Sequence, residues 1–281
     1  MTVHPYDHNT EGRYAMEGHG LKIAISGKGG VGKSTLAAAL SLLAARQGRV
    51  LAVDADPDAN LAAALGISHD QQAGIIPISQ QIDLIEQRTG AKVSQYGQVF
   101  KINPDVADVA ERFAYEKDNI ALLVLGAVKN GGGGCACPES TFIRALVTDL
   151  VLFKNQTLVM DMEAGIEHLG RGTARGVDVM IVVVEPGQRS IDCALNVQRM
   201  AQQIGVSRIE YIGNKAANAA DEEFIQASLP HATLAVIPTS EALRAADRDG
   251  VSVLDALQNE PALLQQYEAI WDRLQKGVAH E

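Results

Sequence analysis

The sequence predicts an α/β fold, a doubly wound and mostly parallel sheet with helices on both faces. Three observations carry that expectation. Short apolar runs alternate with helix-period stretches from Leu21 onward, the rhythm of strand–helix–strand units. Runs such as V-M-I-V-V-V at Val179–Val184 are continuously apolar, as strands buried on both faces must be. A glycine-rich stretch, Gly27 to Thr35, joins the first strand directly to the first helix.

Taken in order, the apolar run at Leu21–Ser26 reads as the first strand, Lys33–Gln47 as a helix, Val50–Asp54 as the second strand and Leu61–Leu65 as a helical stretch. Further strands are expected at Ile82–Ile85, Ala121–Leu125, Leu158–Asp161, Val179–Val184, Glu210–Gly213 and Leu234–Ile237. From Pro261 onward Leu263, Tyr267, Ile270 and Leu274 recur at helical spacing. A membrane-surface helix would need more cations than Arg273 and Lys276 beside Glu268 and Asp272, so a closing helix packed on the core is expected. Residues 1–20 show no sustained periodicity and are read as an N-terminal extension, with residues 21–281 forming one domain.

The chain has 281 residues, 47% of them hydrophobic, enough to bury a large core. With 34 acidic against 24 basic side chains, its net charge is −10. That balance argues against binding nucleic acid, where affinity comes from lysine and arginine releasing counterions. No apolar run approaches the roughly 20 residues of a membrane span, and the polar N-terminus lacks the apolar core of a signal peptide. A soluble, cytoplasmic protein is expected. Cys193 falls in a helical apolar pattern and reads as a core thiol.

Gly27 to Thr35 spells G-K-G-G-V-G-K-S-T after a strand and before a helix. Each residue type has a mechanical task in holding a phosphate chain. The glycines let the backbone N–H groups turn inward, and the helix N-terminus adds partial positive charge. Gly29, Gly30, Val31, Gly32, Lys33, Ser34 and Thr35 are therefore the candidate phosphate contacts, with ATP as ligand. Lys33 is expected to reach the β- and γ-phosphates and the Ser34 hydroxyl to bind Mg²⁺. Two acidic loops join the same edge. Asp54, Asp56 and Asp58 follow the second strand; Asp56 is the candidate for positioning the attacking water, and Asp58 reads equally well as a helix cap. Asp161 closes Thr157-Leu-Val-Met-Asp and reads as the Mg²⁺-side carboxylate, while Gly165 offers an N–H for the γ-phosphate.

The stretch K-G-G-V-G-K-S-T, with its additional Lys28, resembles the deviant Walker A class of P-loop ATPases. That class includes septum-site and partition ATPases, the arsenite and tail-anchor ATPases and the nitrogenase iron protein. The resemblance implies an ATP-dependent homodimer in which Lys28 reaches across to the partner's phosphates, a catalytic cation supplied in trans. It also implies that Asn214, in I-G-N-K, and the segment beginning at Pro238 frame the adenine.

Gly131–Gly134 followed by Cys135-Ala136-Cys137-Pro138 sets the chain apart. Four glycines lose much entropy on ordering and offer nothing to pack, which disfavours buried structural thiols. Two thiolates can bind a soft or borderline metal, Ni²⁺ or Zn²⁺, but fill only half a tetrahedral shell. A symmetric dimer with this loop on its axis would complete the site with Cys135 and Cys137 of both chains. A local disulfide or redox pair is the alternative. Pro138, Glu139 and Ser140 should open a helix whose N-terminus favours thiolate.

The signature loop, G-C-A-C-P-E at Gly134–Glu139 and D-M-E-A-G-I-E-H-L-G-R-G-T at Asp161–Thr173 together resemble the CooC-type nickel-maturation ATPases. The resemblance implies a metallochaperone whose client is apo carbon monoxide dehydrogenase or acetyl-CoA synthase. A reductase of the iron-protein type would bridge its dimer with a [4Fe–4S] cluster through cysteines far apart in sequence, and only Cys193 stands far from the pair here. A partition or positioning ATPase would act on DNA or membrane, against the net charge and the weakly basic terminal helix.

Overall fold

The computed structural model describes residues 20–93, 95, 97–127, 137–165 and 169–277. The elements run β1 (Lys22–Gly27), α1 (Lys33–Ala45), β2 (Val50–Ala55), α2 (Leu61–Ala64), α3 (His69–Gln72), a 3-10 turn (Ile78–Gln80), α4 (Ile82–Thr89), α5 (Val109–Phe113), β3 (Tyr115–Lys117) and β4 (Ile120–Val124). The second half continues α6 (Pro138–Phe153), β5 (Thr157–Met162), α7 (Arg171–Ala174), β6 (Val179–Val184), α8 (Gln188–Ile204), β7 (Ile209–Ala216), α9 (Ala219–Ser228), β8 (Ala235–Pro238), α10 (Glu241–Asp249), α11 (Val253–Leu257) and α12 (Pro261–Lys276).

The strands form one sheet in the order β3-β4-β2-β5-β1-β6-β7-β8, parallel throughout except for the antiparallel edge pair β3–β4. Its central run follows from the sequence chemistry. In β6 Val179, Ile181 and Val183 pack into one core layer, and Met180, Val182 and Val184 into the other. Both faces are covered, so the strand is apolar at every position. Helices α1, α2, α11 and α12 cover one face. Helices α4, α5, α6, α8 and α9 contribute the buried side chains of the other. Leu263, Tyr267, Ile270 and Leu274 of α12 are buried, in keeping with a closing helix on the core. None of the described helices is long and apolar enough to cross a membrane.

Ile82–Ile85, expected as a strand, is instead the start of α4. Four apolar-rich residues carry too little periodicity to separate strand from helix. What decides is the continuation: Leu84, Ile85 and Thr89 face inward while Asp83 and Glu86 to Arg88 stay out of the core, and Gly90 ends the helix in the left-handed conformation. The short edge strand β3 and helix α5 had no counterpart in the sequence reading. The N-terminal extension lies outside the described residues except for Gly20.

Candidate functional site

Strands β1, β2 and β5 lie side by side, so their carboxyl ends meet at one edge of the sheet. The glycine loop leaves β1 there and enters α1. Gly27 and Gly32 have φ of 149° and 98°, and a Cβ on either would collide, with the Val183 carbonyl and the Asn214 amide respectively. Glycine is required at both places by left-handed backbone and by close approach together. Val31 is fully buried under the loop and anchors it to the α1 side of the core. The Asn214 amide donates to the Val31 carbonyl at 2.8 Å, and Lys215 Nζ donates to the Gly30 carbonyl at 2.5 Å. Strand β7 thus fixes the loop from the far side.

Lys33 is 5% exposed, its ammonium 3.4 Å from Asp56 Oδ2. Asp54 shapes the neighbouring loop: its Oδ1 accepts from the Asp56 amide at 3.2 Å and its Oδ2 from the Leu61 amide at 2.9 Å. The head of α2 is thereby satisfied by Asp54, not by Asp58, which is exposed beside the cleft. Burial, with the Asp161 carboxylate opposite, pushes Asp54 up to about 7 against the pull of those two amides. Sequence reasoning gave Asp54 no task. Its signal was the aspartate at the end of a buried strand, a costly place for a carboxylate unless it holds backbone.

Asp161 pairs in register with Asp54 and is fully buried. Neither of its oxygens has a hydrogen bond of normal geometry. Burial raises it to about 6, while the nearby Ser34 hydroxyl and Lys33 ammonium pull it down. A buried carboxylate without donors costs on the order of several kcal/mol. A divalent cation between Asp161 and Ser34 would answer that cost, so the residues fit Mg²⁺. Gly165 stands three residues beyond β5 on the same edge.

The adjoining cleft has a volume of about 360 Å³, within the usual range of a small-molecule site. Gly29, Gly30, Gly32, Lys33, Ser34, Thr35 and Asp56 line it together with Asn214, Lys215 and Pro238. The start of α10 adds Ser240, Leu243, Arg244 and Asp247, which the sequence reading did not single out. Lys28 points elsewhere. Its Nζ pairs with Glu185, just beyond β6, at 2.9 Å, and its side chain is 40% exposed. Glu185 was likewise unread, because an acid after a strand has no distinctive spacing.

Helix α6 also begins at this edge, following β4. Cys137 is its N-cap: Sγ accepts from the Ser140 amide at 3.4 Å and lies 3.1 Å from the Ser140 hydroxyl. Pro138 occupies the first turn, as expected of a residue without an amide hydrogen. A sulfur in that position is a soft donor at the head of a helix. Cys135 lies outside the described residues, and among those described no cluster of three or more His, Cys, Asp or Glu side chains is arranged to hold a metal. Cys193, on α8, packs half-buried against the core, which pushes its thiol up.

A loop that turns its amides around an anion at the carboxyl edge of a parallel sheet is the working part of P-loop nucleoside triphosphate hydrolases, and this protein is an ATPase of that class. The chain belongs to the CobQ/CobB/MinD/ParA nucleotide binding domain family, which matches residues 22–253. It is 41% identical over 237 residues to the carbon monoxide dehydrogenase accessory protein CooC of Rhodospirillum rubrum, covering 84% of this chain and 90% of that protein. An uncharacterized ATP-binding protein of Methanocaldococcus jannaschii is also 41% identical, over 79% of this chain and 86% of its own. Among solved structures, MinD in the MinC:MinD complex of Aquifex aeolicus aligns with a TM-score of 0.63 at 22% identity, covering 90% and 95% of the two chains. The septum site-determining protein MinD of Pyrococcus horikoshii with Mg-ADP aligns at 0.61 and 21%, covering 92% and 98%. At such identities the likeness shows the fold.

Proposed function

We propose that this ATPase is a cytoplasmic metallochaperone that assists nickel insertion into carbon monoxide dehydrogenase or acetyl-CoA synthase, holding Ni²⁺ or Zn²⁺ between two copies of the chain. The similarity to a carbon monoxide dehydrogenase accessory protein supports the client class. The observation that carries the metal half is Cys137, a thiol held at a helix N-terminus on the nucleotide edge of the sheet. With Cys135 it supplies two soft donors per chain, and a homodimer supplies four.

In this reading the amides of Gly29 to Thr35 and the Lys33 ammonium grip the phosphates. Ser34 and Asp161 hold Mg²⁺, which neutralises charge on the phosphate oxygens. Asp56 orients the attacking water, Gly165 donates its N–H to the γ-phosphate, and Asn214 and Pro238 frame the base. Lys28 exchanges Glu185 for the partner's phosphates when two chains close. Hydrolysis then alters the dimer on which the shared metal depends, so ATP and metal are linked through one interface. The acidic balance of the chain supports a protein client and not DNA.

The test is metal retention. Wild-type protein incubated with Ni²⁺ and desalted is expected to keep one ion per two chains, and the Cys135→Ser/Cys137→Ser double variant none. A variant that still holds one tight metal per dimer would sink the shared-site reading.

A further inference from the structure

Strand β7 ends irregularly beside the nucleotide loop. It pairs with β6 as far as Gly213, and its register with β8 shifts between Gly213 and Ala216. Asn214 and Lys215 fill that bulge. Lys215 has a φ of 60°, a left-handed backbone that costs any residue with a side chain free energy. In a regular strand successive side chains point to opposite faces. Here both neighbours reach the same loop, Asn214 donating to the Val31 carbonyl at 2.8 Å and Lys215 Nζ to the Gly30 carbonyl at 2.5 Å. Bulges re-aim side chains beside binding sites, and strained backbone gathers where a function holds it.

The two carbonyls belong to consecutive peptide planes. A planar trans peptide points its N–H away from its C=O. A hold on the Gly30 carbonyl therefore aims the Val31 N–H, and a hold on the Val31 carbonyl aims the Gly32 N–H. The Gly32 amide has no acceptor among the described residues, and the Val31 amide reaches only back to the Lys28 carbonyl at 3.3 Å. The loop cannot fix these planes by itself. A Cβ on Gly29 or Gly30 would meet nothing within 4 Å, and glycine backbone left to itself samples many orientations. Asn214 is buried, whereas Lys215 is exposed and lines the nucleotide cleft.

We propose that Asn214 and Lys215 are positioning residues for ATP, a clasp on the carbonyl side of the loop that turns the Val31 and Gly32 amides toward the phosphates before the nucleotide arrives. Amides already turned need no reordering on binding, and such preorganisation appears as affinity. The clasp acts on the triphosphate whatever base is attached, a role separate from framing the adenine. It rests on the reading of Gly29 to Thr35 as the phosphate site and is independent of the metal site.

The experiment is calorimetry of the full chain with Mg-ATP and with Mg-tripolyphosphate, which carries no base. In Lys215→Met both affinities should fall about tenfold, the worth of one charge-assisted hydrogen bond, with an unchanged Tm, while Lys215→Arg, which keeps a cationic donor, stays within about threefold of wild type. Asn214→Ala should weaken tripolyphosphate as well as ATP. In nucleotide-free protein, amide hydrogen exchange of a fragment spanning residues 28–36 should be at least about threefold faster in Lys215→Met than in wild type. Tripolyphosphate affinity unchanged in Lys215→Met, or no binding of tripolyphosphate to the wild type, overturns the proposal. Loss of affinity with unchanged exchange in the free protein also overturns it, placing Lys215 directly on the ligand. Lys33→Ala separates the two readings: if it leaves both affinities intact, the phosphate site itself is lost and the clasp with it, whereas loss in Lys33→Ala with none in Lys215→Met removes the clasp alone.

Discussion

The nucleotide loop and the cysteine end sit on the same edge of the sheet but are built to opposite specifications. Around the loop, one chain supplies the contacts that shape the cradle. Lys33 is buried against Asp56, Asn214 and Lys215 hold the loop carbonyls, and Asp54 fixes the neighbouring turn. At the cysteine end the described chain supplies a single sulfur on a helix cap. The contrast teaches how the two ligands depend on assembly. A preorganised cradle binds its anion in a single copy, whereas a half-shell of thiols gains affinity only when a second half-shell arrives.

The strongest way to break that contrast is to remove chemistry from the self-contained side. Lys33→Ala and Asp56→Asn are each expected to lower ATP turnover by roughly 10²–10³-fold, read by phosphate release at saturating ATP. Loss of less than about tenfold in both would take these side chains out of the reaction. Next is the double cysteine change to serine. It should leave ATP affinity within about twofold while metal affinity falls at least about a hundredfold, since the loop borrows nothing from the cysteines. Calorimetry with each ligand separates the two; parallel losses would make them one site.

A smaller effect tests whether the cradle is preorganised. Gly32→Ala places a Cβ against the Asn214 amide at a φ of 98°, a strain of about 1–2 kcal/mol before the collision is counted. Nucleotide affinity should fall at least about tenfold, while Gly29→Ala, which meets open space, should lose far less. The smallest effect concerns the head of α5. Arg88 and Arg112 both donate to Asp108 Oδ2, at 2.7 and 3.0 Å, and hold its carboxyl down at about 2. Because the unfolded chain binds that proton more readily, the contribution is complete above about pH 4 and is lost as pH falls through about 2. Asp108→Asn should flatten this limb of an acid titration followed by circular dichroism and lower stability modestly at pH 7, where the contribution is complete.

The sequence made the central sheet legible because burial on both faces leaves no choice of residue: Val179–Val184 was read to its ends. The loop at Gly27–Thr35 was legible because its glycines answer a local steric demand. Ile82–Ile85 was misread since its apolar residues are too few to show a period, and the helix is declared only by Thr89 and Gly90 beyond them. Asp54, Glu185 and Arg244 escaped notice for a different reason. Their positions depend on which strands become neighbours, and β2, β6 and α10 are far apart in the chain.

The most direct test of an ATP-coupled, shared metal site is native mass spectrometry of protein loaded with Ni²⁺, with and without a non-hydrolysable ATP analogue. The account predicts a dimer carrying one metal ion and two nucleotides, with metal-free chains in the Cys135→Ser/Cys137→Ser variant. A monomer that holds its own metal ion with full occupancy, or a metal-bearing dimer in the double variant, would contradict it.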